Sequence, residues 1–407
     1  MNIEQVHARS AIEALRSGVP SPLAVRQLGT TQEHVRGLFD ERLDAVEEGR
    51  GVEPLAVNAN FGTGKSHLLN YLRARAADRG FVTTLAVVSP EMPLGNAHVV
   101  LKAISEGAAA PGRPGGAASA LAQDLPAGSD GFAELRGWSR NAGIDERFTA
   151  LLHLFEELRA DEEFRSRIID DLEGRPINLS EIRQQLREIG QSAAYSLKGA
   201  GRKSALLAHD RIRLLAQFYK ACGCKGWVVL FDELERMYVF TTKQRLACWD
   251  ELGWWRQAAK EAGTALIPVF AGVLGALREK AELDRPRFES QTRLTDGDPR
   301  DERCLEGIDM VVQRPESLEK LTHEQNEAIK YRVKEIYENA FGAPMPDVPG
   351  RDDVVQTIRS EIRRWITRWD LHRLDPEYRA NIDEEEIDID TREVPDDVLP
   401  SDEPRDE

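Results

Sequence analysis

Cysteine is scarce in this 407-residue chain, with four in all, too few for a disulfide framework. Cys222 and Cys224 stand too close together for a CxxC metal knuckle, and no histidine cluster accompanies them. They read as free thiols of a reducing cytosol. No run of apolar residues approaches the length of a membrane span. The opening Met1-Asn2-Ile3-Glu4-Gln5 lacks the basic start and apolar core of a secretory signal. A cytoplasmic protein is therefore expected. Aromatic residues are few, at 7%. The Asn-Lys-x-Asp run that specifies guanine is missing, and no internal repeat is visible. Basic residues are outnumbered, 54 against 70 acidic ones, for a net charge of −16. That deficit is uneven: Pro376 to Glu407 carries 14 acidic and 3 basic residues, a net of −11, against −5 for the rest. An acidic stretch with almost no aromatics cannot bury a core and is expected to be a disordered tail at 376–407. It either keeps the chain solvated, or docks on a basic partner or mimics the charge of DNA. A nearly neutral body leaves room for a local basic patch, so direct DNA binding stays open.

What is present describes an ordinary globular chain, 41% hydrophobic and 30% charged. Its length fits one large α/β domain with a smaller appendage. Helical periodicity over residues 3–18 stops at Gly18, a short helix restarts after Ser21-Pro22, and Thr30 or Thr31 can cap the next. Leu55 to Ala59 is a short apolar strand, a glycine loop leads into a helix from His67 to Ala77, and Phe81 to Val88 supplies a second strand. Strand, loop, helix and strand at this spacing form a βαβ unit and predict a parallel sheet. Residues 107–130 are rich in Ala, Gly and Pro and read as a flexible insertion, and from Phe148 to Tyr219 the pattern is helical, with polar interruptions near Gly174 and Gly199. Trp227 to Phe231 and Ala265 to Ala271 are the third and fourth strands, separated by a helix over 243–262. After Pro315 the pattern is wholly helical, through 322–341 and 352–370. The expected division is an N-terminal helical segment at 1–24, an α/β core at 25–315 with an insertion at 107–220, and a helical lid at 316–375.

Ala59-Asn60-Phe61-Gly62-Thr63-Gly64-Lys65-Ser66 carries the chemistry. A loop that cradles a β-phosphate must aim its backbone N–H groups inward, and Gly62 and Gly64 permit that curl. Lys65 sets an ammonium against the β- and γ-phosphates, and Ser66 offers a hydroxyl to Mg²⁺. The following helix adds the positive end of its dipole. Asn60, Phe61, Gly62, Thr63, Gly64, Lys65, Ser66 and His67 are thus the expected nucleotide contacts, with ATP as ligand. The first glycine of GxxxxGK[ST] is here Ala59, which begins the turn and does not crowd the phosphate.

The third strand ends in Asp232-Glu233. Ligands of open α/β sheets sit at the carboxyl ends of the strands, which puts Asp232 beside Ser66 as a second Mg²⁺ holder. Glu233 would orient and partly deprotonate the water that attacks the γ-phosphate. Glu235 reads as pairing with Arg236 or Arg245, or as lying in solvent. A P-loop, an acid pair and an all-helical C-terminal segment together point to an AAA+ ATPase. Arg293, in Ser290-Gln291-Thr292-Arg293-Leu294, stands where AAA+ proteins carry a finger arginine; Arg285, Arg287 and an ordinary surface salt bridge are the alternatives. Arg351 stands where a lid arginine touches nucleotide. Val269-Phe270-Ala271-Gly272 offers no polar sensor at the end of the fourth strand, which weakens the case for efficient hydrolysis. Arg359, Arg363, Arg364 and Arg368 form either a solvated face of a lid helix or a phosphate-backbone contact. Trp254-Trp255 reads as core rather than a base-stacking platform.

The chain resembles the small ATP-binding proteins of BREX phage-defence systems (BrxD-like). The resemblance is carried by Arg9 to Ser21 (RSAIEALRSGVPS), Gly62 to Leu69 (GTGKSHLL), Val87 to Leu94 (VVSPEMPL) and Leu230 to Glu235 (LFDELE), within residues 1–375. It implies an initiator-like AAA+ fold and work beside helicases, methyltransferases or other large defence proteins; a homo-oligomer that binds ATP·Mg²⁺ between subunits is expected. Functionally it implies an ATPase that remodels, loads or regulates a DNA-acting partner. A nucleotide-gated adaptor with little turnover and a sequence-independent DNA binder are the rivals. The Gly18-Val19-Pro20-Ser21-Pro22-Leu23 segment either lies over the adenine or merely links two helices.

Overall fold

A computed structural model describes residues 3–19, 21–59, 63–123, 125, 128–197, 204–292, 299–348 and 357–377. The chain opens with helices α1 (Ile3–Ser17), α2 (Pro22–Leu28) and α3 (Glu33–Glu47), then strand β1 (Leu55–Asn58), helix α4 (Lys65–Asp78) and strand β2 (Val82–Val87). Seven helices follow: α5 (Ala97–Glu106), α6 (Ala117–Ala122), α7 (Asp130–Asn141), α8 (Glu146–Glu157), α9 (Glu162–Leu172), α10 (Leu179–Glu188) and α11 (Ser204–Ala221). Strand β3 (Trp227–Asp232), a 3-10 turn (Leu234–Val239), α12 (Thr242–Lys260), β4 (Leu266–Gly272), α13 (Leu274–Thr292) and α14 (Pro299–Ile308) complete the centre. Strand β5 (Glu316–Ser317) and helices α15 (His323–Phe341) and α16 (Ile358–Leu374) end the described chain.

The sheet order is β2-β3-β4-β1-β5, and every pairing is parallel. Strands β3 and β4 are buried along their whole length, as central parallel strands covered on both faces must be. The pleat divides their side chains between two cores. Val228, Leu230, Ile267 and Val269 face α3 and α4, meeting Phe39, Leu43, Leu69 and Leu72. Trp227, Val229, Phe231 and Phe270 face the other way, into a larger core shared with α5 to α12. Two buried polar groups in that core serve each other: Trp227 Nε1–H donates to Thr84 Oγ1 at 3.0 Å, and Thr84 donates to the Ile104 carbonyl at 3.0 Å.

All four expected strands form, and the fifth is an addition. Glu316 and Ser317 pair with Val57 and Asn58, where a purely helical course was expected after Pro315. Two residues with no apolar run carry no strand signal of their own. The Ala/Gly/Pro-rich stretch after Gly107 is also not loose over its described part. Ala108, Ala117 and Ala118 are fully buried, and Thr83 bridges Ala109. Small residues are there because backbone packs closely against the sheet edge, which composition alone reads as flexibility.

The insertion is built around one buried acid. Asp171 is wholly buried and takes Arg147 Nη2 at 2.7 Å, Arg211 Nη2 at 2.9 Å and the Ile177 amide at 2.7 Å. Trp255 is fully buried against Phe231, and Trp254 stacks on His209 with ring centres 3.8 Å apart. All four cysteines are free thiols. At the other end of the molecule α1 and α2 pack with α15 and α16 through Ile12, Leu28, Tyr337, Trp365 and Trp369. Among the described residues no helix is long and apolar enough to cross a membrane.

Candidate functional site

The carboxyl ends of β1 and β3 open toward the start of α4, so the expected residues meet there. Gly64 adopts a left-handed backbone at φ +96°, where a Cβ would be strained, and begins α4 with no side-chain cap. The first turn of a helix leaves N–H groups without intrahelical partners, an arrangement suited to an anion. Lys65 and Ser66 occupy that turn.

Across from it, β3 ends at Asp232. Glu233 then takes a left-handed conformation at φ +61° that swings the chain into the 3-10 turn. Lys65 Nζ lies 3.0 Å from Asp232 Oδ1, 3.3 Å from Glu233 Oε1 and 3.0 Å from Glu235 Oε1. Burial works to lower the Lys65 pKa, but the Asp232 charge and the hydrogen bonds to Asp232 and Glu235 outweigh it and hold the ammonium above its usual range. Burial pushes the Asp232 carboxyl up, partly offset by Lys65. Glu233 is shared with Arg236, whose Nε is 3.3 Å from Glu233 Oε2.

Glu235 corrects its sequence reading. It pairs with neither Arg236 nor Arg245 in the described contacts and is not in solvent: it reaches Lys65, and the Val273 amide donates to its other oxygen at 3.0 Å. Arg245 is spent on Asp284, with Arg245 Nη2 at 2.9 Å from Asp284 Oδ1. The missed signal is geometric. The strand stops at Asp232, and the left-handed backbone of Glu233 turns the chain so that Glu235, in the first turn of the 3-10 segment, comes back to Lys65.

A cavity of about 420 Å³ adjoins this cluster. Thr63, Gly64, Lys65, Ser66, His67 and Glu233 line one end; Leu15, Leu28, Ile329 and Ile362 give the other an apolar wall. The size lies within the range of roughly 300–1,000 Å³ usual for small-molecule pockets. The Gly18 side of the N-terminal segment is part of that wall, together with Val19, Gly29, Thr30 and Thr31. This segment is strapped down on both sides. The Gly29 carbonyl is 2.7 Å from His67 Nε2, and Arg332 Nη1 donates to the Leu28 carbonyl at 2.6 Å. The Gln32 side chain pairs with the Glu319 backbone in both directions, at 3.0 and 2.9 Å. His67 therefore spends its ring on the strap, and burial lowers its pKa.

Asn60, Phe61, Gly62, Arg293 and Arg351 lie outside the described residues, as does the acidic stretch from 378 onward. Of the alternative finger positions, Arg285 is taken by Asp309 and Glu289 within the chain. The arginines of α16 divide. Arg363 donates to the Ser17 carbonyl at 2.7 Å and Arg364 pairs with Glu361 at 2.7 Å, whereas Arg359, read from sequence as a solvated or DNA-phosphate-contacting arginine, lines the cavity.

The residues present fit a magnesium nucleotide. Ser66 lines the cavity at the head of α4, and Asp232 ends β3 beside Lys65. A hydroxyl and a carboxylate are the hard oxygen donors that Mg²⁺ takes. Fold and site together define an α/β protein with a parallel sheet and a nucleotide-sized cavity at its carboxyl edge. Residues 3–124 match the family described as BREX system ATP-binding protein BrxC/D, and over that span the chain is similar to those proteins. The span runs from α1 through β2 to α6, and so includes the strap and the head of α4. None of the curated proteins compared with the chain matches it.

Proposed function

We propose that this protein is an AAA+ ATPase of a BREX-like phage-defence system that binds ATP·Mg²⁺ in the cavity and acts on a DNA-acting partner in the cytoplasm. The observation that carries the reading is the convergence of Lys65, Asp232 and Glu233 at the mouth of a cavity walled by the strap and the lid helices. In this reading the triphosphate runs along Thr63 to His67, and the base lies against Leu15, Leu28, Ile329 and Ile362. Bound Mg²⁺ supplies charge neutralisation at the phosphates. Ser66 and Asp232 would hold it, and Lys65 would turn from the carboxylates to the β- and γ-phosphates. Glu233 accepts the proton of the attacking water as that water's oxygen bonds to the γ-phosphorus and the bond from the γ-phosphorus to the β–γ bridging oxygen breaks, ADP leaving with that oxygen. Arg359, on the lid helix and in the cavity wall, is the described arginine best placed to contact phosphate; Arg351 stays a candidate for the same task. Arg293 is the proposed finger, acting on the site of a neighbouring copy in a homo-oligomer.

A nucleotide-gated adaptor with little turnover is the second reading. It is favoured by two features: β4 ends in Gly272 with no polar side chain, and Lys65 is held by three acids. Steady-state phosphate release at rising protein concentration, with and without DNA, separates the two. Turnover per chain that climbs with concentration supports hydrolysis across an interface, and a flat background supports the adaptor. Phosphate release by Glu233→Gln equal to that of the wild type would remove Glu233 from its role.

A further inference from the structure

One acid in the site has no part in the chemistry just described. Glu235 is 11% exposed, and its carboxylate is pinned between two partners. Oε1 takes Lys65 Nζ at 3.0 Å, and Oε2 accepts the Val273 amide at 3.0 Å. A Cβ on Gly272 would come within 2.5 Å of Oε2, so the carboxylate fills the space at the end of β4 where a polar strand residue would otherwise project. Asn58 Oδ1 accepts the neighbouring Leu274 amide at 2.9 Å, so the start of α13 is held from β1 and from the acidic turn together. Asp232 and Glu233 have metal and water to attend to once nucleotide arrives. Glu235 has only Lys65, and its second anchor prevents it from following when the ammonium leaves.

Resting on the ATP-site reading above, we infer that Glu235 is a positioning residue that competes with the nucleotide phosphates for Lys65. In the empty site it holds the ammonium among the carboxylates. On binding, Lys65 exchanges Glu235 for phosphate oxygens, and on release it falls back to a carboxylate already in place. The same fixed negative charge near the phosphates opposes binding of either ATP or ADP, so the site trades affinity for easy exchange.

The test uses the full chain and isothermal titration with Mg·ATP and Mg·ADP. Glu235→Gln keeps an oxygen for the Val273 amide while removing the charge. It is expected to bind both nucleotides about 5–10-fold more tightly than the wild type, with slower release. A residue with a merely structural role would do the opposite, because its loss loosens the site. Gly272→Ala, which displaces the same carboxylate from the other side, is expected to shift affinity in the same direction and serves if the glutamine variant does not fold. Lys65→Ala separates the two layers. If its affinity equals that of the wild type, the ATP-site reading falls and the role of Glu235 with it. If Lys65→Ala abolishes binding but Glu235→Gln binds equally or more weakly, Glu235 alone loses its role.

Discussion

Two charge clusters in this molecule use similar groups to opposite ends. In the helical insertion one wholly buried acid, Asp171, meets two arginines and a backbone amide, so its oxygens are saturated and the site is closed. At the edge of the sheet the ratio is inverted: one lysine meets three acids beside an open cavity. The first arrangement holds helices together and leaves nothing to bind. The second carries surplus negative charge around a single ammonium beside the cavity, and that ammonium can find better partners in the proposed nucleotide. Charge balance, more than burial, separates a structural ion cluster from a working one.

Breaking Asp171 should have the largest effect. Asp171→Ala leaves two buried guanidinium groups without their counter-ion, and loss of a buried partner costs about 3–5 kcal/mol of stability. Chemical denaturation should show that loss while Mg·ATP affinity of the folded fraction stays unchanged. An equal loss of nucleotide affinity would mean that the two clusters are not independent.

Glu233→Gln acts in the other direction, sparing stability and slowing phosphate release by about 100-fold or more, the usual contribution of a general base. Single-turnover assays with the variant saturated in Mg·ATP check it.

Arg359→Ala should weaken Mg·ATP about tenfold, roughly 1.4 kcal/mol, through loss of a charge-assisted contact. Arg363→Ala, whose guanidinium is used on the Ser17 carbonyl, should not weaken it comparably. Titration of both variants sharpens the assignment of a lid arginine to the cavity.

The smallest effect concerns the insertion again. Burial raises the Glu173 carboxyl to about 6, with Arg175 only partly offsetting it. A raised carboxyl pKa means the folded state holds its proton more tightly, so this group's contribution is present below about pH 4.5 and lost as pH rises through 6. Glu173→Gln should therefore stabilise the protein at pH 7.5 relative to pH 5, by on the order of 1 kcal/mol, in melts at the two pH values.

The parallel sheet was legible because its strands are short apolar runs between glycine-marked turns, and Lys65, Ser66, Asp232 and Glu233 because strand ends and a helix start fix their place. Glu235 was not legible. Its position depends on the left-handed backbone of Glu233, and alternation along a strand gives no warning of a 3-10 turn. The cavity's second wall was only half visible. The Gly18 segment was one of two readings, but its partnership with α15 and α16 joins residues more than 300 positions apart, as Arg332 and Leu28 do. Strand β5 and the packed alanines after Gly107 depend on neighbours in space and have no local pattern.

A crystal structure of the protein with Mg²⁺ and a slowly hydrolysed ATP analogue tests the central claim most directly. The expected result is the triphosphate along the head of α4, the base against Leu15 and Ile362, and Lys65 Nζ moved from Glu235 to the phosphates. Nucleotide bound elsewhere, or an unfilled cavity with Lys65 still among its three acids at saturating ligand, would contradict it.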